Sequence, residues 1–78
     1  MAQIVPIDRV IPRRTQVSTR IMRRVLEKQG QIEPLQVTQE GQYYVVFACD
    51  PYGDEIVAAA RELAWPTLLI AVTDEYEQ

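Results

Sequence analysis

The sequence has no histidine and only one cysteine, Cys49, among its 78 residues. Without histidine there is no Ser/His or Cys/His pair, the usual general base is missing, and a zinc site is not expected. One cysteine cannot close an internal disulfide, and a reducing, cytoplasmic setting is the default that follows. No apolar run approaches the roughly 18 residues needed to span a bilayer, and no charged segment followed by an apolar stretch suggests a secretory signal. A membrane partner is therefore not expected. There is no internal repeat, no low-complexity segment and nothing resembling a helix-turn-helix. The acidic group Asp50, Asp54 and Glu55 lacks the regular spacing of a calcium loop, and first-turn helix acids explain Asp54 and Glu55 equally well. No metal is expected.

The chain does have enough apolar residues for a core, at 47%. That suits one small globular domain spanning residues 1–78, with 73–78 read as a frayed acidic tail. The net charge of −3 hides an asymmetry. Residues 1–28 carry seven basic and two acidic side chains, a local charge of +5, whereas residues 29–78 carry Arg61 against nine acids, a local charge of −8. An acidic whole argues against general nucleic-acid affinity, while its basic half is compatible with a basic face beside an acidic one.

In chain order, Gln3 to Ile7 is a short apolar segment that Pro6 restricts to an edge strand. Val10-Ile11 is a second apolar step, ended by Pro12, and Arg13 to Gln16 is a polar connector. Ser18 is a good N-cap for a helix whose stripe is Ile21, Met22, Val25 and Leu26, with Gly30 just past its end. Leu35 to Thr38 alternates as a strand, Glu40-Gly41 marks a tight turn, and Tyr43 to Cys49 reads as a return strand buried on both faces under helices. Asp50 to Gly53 has turn chemistry. Asp54 can cap a second helix carrying Ile56, Val57, Ala60 and Leu63, which Trp65-Pro66 stops. Thr67 to Val72 is the last strand, again apolar on both sides. The order β-α-β-β-α-β predicts an α+β domain with a mixed sheet and two main helices.

Four features resemble the ParB/sulfiredoxin-like superfamily: the opening Val5-Pro6-Ile7-Asp8-Arg9-Val10-Ile11-Pro12; Gly30-Gln31-Ile32-Glu33-Pro34-Leu35-Gln36-Val37 after the first helix; Gly41-Gln42-Tyr43-Tyr44 with its strand; and the Ala-rich helix before the final strand. They cover residues 4–72. The resemblance implies a small fold of that type and two activities. In sulfiredoxins a Gly-Cys-His-Arg loop carries the reactive cysteine; here the same place reads Ala48-Cys49-Asp50-Pro51, and Tyr52 fits a tyrosine often found there. Asp50 and Pro51 replace the His and Arg that grip ATP phosphates, and a carboxylate repels phosphate. ParB proteins carry a Gly-Glu-Arg-Arg box; Gly53-Asp54-Glu55-Ile56 is the nearest match and lacks both arginines. Arg20 approximates the family's phosphate-holding lysine near the first helix. ATP or CTP is implied by the resemblance alone, and the residues themselves call for no cofactor.

The candidate site residues follow. Cys49 is a redox thiol on the functional reading or a small packing residue on the other; the adjacent Asp50 disfavours the thiolate, though the second helix's N-terminus partly compensates. Asp50, Pro51, Tyr52 and Gly53 form the loop that would flank it. Arg13, Arg14, Arg20, Arg23, Arg24 and Lys28 are candidate contacts to phosphate, DNA backbone or an acidic protein, a second copy included, or else a solvated face. Arg20/Arg24 and Arg24/Lys28 are like-charge i,i+4 pairs that an isolated helix would not favour. Tyr43, Tyr44, Tyr52, Phe47 and Trp65 are a stacking platform or packing groups. The expectation is a diverged, non-catalytic binding or regulatory module with a phosphate-bearing or acidic partner, self-association included. The alternatives are a sulfiredoxin-like ATP-dependent reductase using Cys49, and a ParB-like DNA-associated protein.

Overall fold

The computed structural model describes residues 2–48, 50 and 52–73. Cys49, Pro51 and the acidic end of the chain at 74–78 lie outside the described residues. The elements are β1 (Ala2–Pro6), a single 3-10 turn (Ile7–Arg9), β2 (Val10–Ile11), α1 (Arg20–Gln29), β3 (Leu35–Glu40), β4 (Tyr43–Val46), α2 (Gly53–Glu62) and β5 (Thr67–Val72). The strands form one mixed sheet in the order β1-β5-β3-β4-β2. β1 is an edge, as proline at its end requires, and runs antiparallel to β5. β3 lies parallel to β5 and antiparallel to β4, and the two-residue β2 runs parallel to β4 as the other edge.

Alternation puts Val5, Val10, Leu35, Val37, Val46, Leu68 and Ile70 on one face, where they join Leu26 of α1 and Val57, Ala59 and Ala60 of α2 in a single core. The alternate positions behave differently from the expectation of a sheet covered on both sides. Ile4 is 70% exposed and Ile11 37%, while Val45, Leu69 and Ala71 are half-buried. The helices cover one face only. An apolar run two faces deep is the pattern of a doubly covered strand, and here it leaves aliphatic side chains on the open side of the sheet. β4 is also shorter than expected, and Tyr43 at its start is half-exposed.

The first helix departs from its sequence pattern as well. Thr19, not Ser18, is the N-cap, with no side-chain cap bond. Of the apolar stripe only Leu26 is buried; Met22 and Val25 are half-buried and Ile21 is 75% exposed. Gly30 ends the helix as expected, at φ 71°. The connection to β3 is held by Gln31, whose side-chain amide donates to Leu69 O (2.7 Å) and accepts from Leu69 N (2.8 Å), extending the β5 ladder beyond the start of β3.

Candidate functional site

The connector after β2 lies against the start of α2. Asp54, the second residue of that helix, is only 7% exposed. Its Oδ1 accepts the Arg13 backbone N–H at 2.8 Å and its Oδ2 accepts Arg14 Nε–H at 3.1 Å. A capping role was expected for Asp54; instead Tyr52 occupies the N-cap without a side-chain bond, and the Asp54 carboxylate reaches forty residues back along the chain. Buried carboxylates need such donors to offset lost hydration. A cleft of about 280 Å³ lies here, lined by Arg13, Arg14, Phe47, Ala48, Asp50 and Asp54.

Asp50 is equally committed. Its Oδ1 accepts the Tyr52 N–H at 3.1 Å, a local Asx bond, and its Oδ2 accepts the Gln36 N–H at 3.2 Å. It therefore braces the loop against β3, a role the sequence did not suggest. Gly53 is buried beneath the same loop, and a Cβ there would collide with Val46 Cγ1. Only glycine allows α2 to begin so close to β4.

At the start of α1 a second cluster forms. Ser18, Thr19, Arg20, Arg23, Arg24 and Glu27 line a shallow hollow of about 470 Å³. Thr19 Oγ1 donates to Glu62 Oε1 at 2.8 Å, and Arg23 Nη1 approaches the same oxygen at 3.4 Å. Arg20 and Arg24 are exposed and take no ion pair among the described residues. The first turn of α1 has no acidic residue and no side-chain cap of its own, and the carboxylates near this hollow are Glu62, bound to Thr19 and Arg23, and Glu27. Lys28 is exposed one turn further on and does not line it.

The six basic residues are thus divided. Arg13 and Arg14 sit at the Asp54 cleft; Arg20, Arg23 and Arg24 gather at the α1 hollow; Lys28 joins neither. Of the four loop residues, Gly53 starts α2, Asp50 lines the cleft and also a third hollow of about 440 Å³, and Tyr52 lines that third hollow alone, beside Met22, Val25, Ile32 and Ile56. Pro51 and the candidate thiol Cys49 lie outside the described residues. The aromatic residues do not share one surface. Phe47 lines the Asp54 cleft, Tyr52 the apolar hollow and Trp65 another near Ile4, while Tyr44 and Trp65 pack against the core. Among the described residues no three His, Cys, Asp or Glu side chains are grouped as metal ligands, and no helix is long and apolar enough to cross a membrane.

No protein-family model matches the chain, and no curated protein matches it in sequence. Its three-dimensional structure does have relatives. The C-terminally truncated chromosome-partitioning protein ParB from Caulobacter crescentus, crystallised with CTP-gamma-S, superposes with a TM-score of 0.74 at 19% identity over 97% of this chain. The chain spans about half of that ParB structure, 47%. Sulfiredoxin from Arabidopsis thaliana also superposes with a TM-score of 0.74, at 18% identity, covering 95% of this chain and 85% of its own. The chain has a ParB/sulfiredoxin-like fold.

Proposed function

We propose that this ParB/sulfiredoxin-like domain is a non-catalytic binding module whose α1 face takes a phosphate-bearing ligand. One observation carries the reading: Arg20 and Arg24, with no carboxylate partner among the described residues, stand beside an uncapped helix start. Helix N–H groups and guanidinium forks both favour phosphate oxygens. Arg20/Arg24 and Arg24/Lys28 repel within the helix by a few tenths of a kcal/mol per pair, and an anion relieves that repulsion. The ParB structure was solved with a nucleotide triphosphate analogue, which makes nucleotides the first ligands to try.

The test is a titration of the protein with CTP, ATP and a short DNA duplex at low salt, followed by backbone amide NMR. Shifts at residues 18–24 with a nucleotide support a nucleotide module. Shifts there with DNA alone, weakening steeply as salt rises, turn the reading toward backbone binding. The proposal fails if reversing the charge of Arg20, Arg23 and Arg24 leaves every detected interaction unchanged.

A second reading draws on the sulfiredoxin likeness, which covers most of that protein. On this reading Cys49 is the thiol of an ATP-dependent reductase acting on an oxidised protein cysteine. It requires rapid alkylation of Cys49 in the folded protein. An inert thiol that reacts only on unfolding excludes it.

A further inference from the structure

The two edges of the sheet are finished differently. β2 is two residues long, is followed by Pro12, and its Val10 carbonyl accepts Arg61 Nη2 at 2.9 Å. A short strand, a proline and an occupied carbonyl all blunt an edge against further pairing. β1 has five residues, Ala2-Gln3-Ile4-Val5-Pro6, with no charged side chain and proline only at its end. The direction of its main-chain groups follows from the register. Ile7 N donates to Pro66 O at 3.0 Å, so alternation makes Val5/Leu68 and Gln3/Ile70 the pairs bonded to β5. Leu69, opposite Ile4, spends its N–H and C=O on the Gln31 side chain instead. The N–H and C=O of Ala2 and Ile4, and the C=O of Pro6, therefore point away from the sheet. No strand takes them among the described residues. Ile4 is also 70% exposed, beside a hollow of about 430 Å³ lined by Trp65, Pro66 and Leu69.

We propose that β1 is a dimer seam: two copies of this chain pair their β1 strands antiparallel about a two-fold axis at Ile4, joining two five-stranded sheets into one. The outward groups are self-complementary about that residue. Ile4 N–H of each copy donates to Ile4 O of the other, and Ala2 N–H of each donates to Pro6 O of the other. Pro6 has no N–H to return to Ala2, so the ladder ends there. The seam is isologous and closes on itself, which gives a dimer and not a filament. Charge favours a second copy at this edge over any other part of the surface. Each chain carries a net −3, and like-charged molecules approach at least cost along a neutral strand. The two Ile4 side chains lie opposite each other on the open face and cover one another. The contact is small, and a dissociation constant on the order of 100 μM is expected. β1 shares no residue with the α1 hollow, so neither reading rests on the other.

The test is a dilution series of the full chain from about 1 mM to about 10 μM, followed by amide shifts and amide nitrogen relaxation. The rotational correlation time is expected to fall by about half on dilution, while the Gln3, Ile4 and Val5 amides shift and the Ile4 N–H loses protection from exchange. In a mixture of labelled and unlabelled protein, Gln3 Hα of one copy should contact Val5 Hα of the other, because these are the non-bonded pairs of the seam. Ile4→Pro removes the outward donor and no hydrogen bond within the sheet. It is expected to melt like the parent and to stay monomeric. A chain that is monomeric across the series, leaving β1 to another protein's strand or to solvent, overturns the proposal. So does a dimer whose shifts lie away from β1, one without the Gln3–Val5 contact, or one that Ile4→Pro does not weaken. Should Ile4→Pro not fold, Ile4→Lys puts like charges at the axis and must weaken pairing at least about tenfold; unchanged pairing overturns the proposal. The nucleotide titration reads residues 18–24, so either idea can fail alone.

Discussion

Helices α1 and α2 are each ten residues long and pack into the same core, but they are built for different tasks. α2 buries Gly53, Asp54, Val57, Ala59 and Ala60, and α1 buries only Leu26. Small residues let α2 lie close to the sheet, and both of its ends are fastened. At its start Asp54 holds the Arg13–Arg14 connector; near its end Arg61 Nη2 donates to Val10 O at 2.9 Å, tying down the two-residue edge strand β2. Glu62 then engages Thr19 and Arg23. The basic and acidic halves of the sequence therefore meet partly inside one molecule. α1 has basic side chains on its outer side, no acid in its first turn and unfavourable charge spacing. A helix with one buried anchor and a self-repelling outer face gives the core little and leaves most of its surface to solvent. α2 is shaped by what it supports.

The contrast predicts that α2 will be the more fragile under substitution. The largest effect is expected from Gly53→Val. Its side chain has no room beside Val46, and the cost should exceed about 3 kcal/mol, enough to leave the domain unfolded by circular dichroism at room temperature. A variant that melts like the parent would mean that α2 can back away from β4, and α2 would lose its standing as the rigid member of the pair.

Next come the two ends of α2, compared directly. Asp54→Ala strands the Arg13 N–H and removes a nearly buried carboxylate, for an expected loss of about 2 kcal/mol in denaturant unfolding. Glu62→Ala removes an ion pair whose side chains are about half-exposed, at 47% and 46%, and should cost no more than about 0.5 kcal/mol. Equal losses would show that the two clamps work alike and that burial does not separate them.

A gain is expected at the end of α2. Trp65 N donates to Ala60 O at 2.9 Å and Ala64 N to Arg61 O at 3.0 Å, a Schellman ending with Ala64 at φ 60°. An L-residue there costs about 1 kcal/mol that glycine avoids. Ala64→Gly should raise stability by about that amount, roughly 5 °C in midpoint for a domain this small. The sequence suggested that Trp65-Pro66 stops this helix; the turn is already made at Ala64, and the proline follows it.

Several features were legible because one local pattern admits one structure. Thr67 to Val72 is the final strand with the expected bounds, Gly30 ends α1, and Pro6 places β1 at an edge. Others were not, because their cause is distant. An Asp in the first turn of a helix looks like a cap, and nothing local tells that Asp54 faces Arg13 and Arg14 instead. Val45, Leu69 and Ala71 are as apolar as doubly covered positions, yet which face the helices occupy is a property of the whole sheet. β2 is too short to alternate. In α1 the stripe Ile21, Met22, Val25 and Leu26 has the right period, but only Leu26 reaches the core. The basic residues stood out as a set, whereas their division between two surfaces depends on Asp54, which the sequence offered as a helix-terminus acid, and on Glu62, which no local pattern singled out.

The smallest expected change in stability concerns the exposed face of α1 and separates folding from binding. Arg24→Glu turns the repulsive pairs Arg20/Arg24 and Arg24/Lys28 into attractive ones, and should stabilise the domain by about 0.5 kcal/mol. The same substitution puts a carboxylate into the hollow lined by Ser18, Thr19, Arg20 and Arg23 and should abolish nucleotide shifts at residues 18–24. A variant that is more stable and no longer binds would mean that α1 retains a charge arrangement unfavourable to its own folding because a ligand uses it. Were binding to survive the reversal, the basic face would be ordinary solvated surface, and the difference between the two helices would concern packing alone.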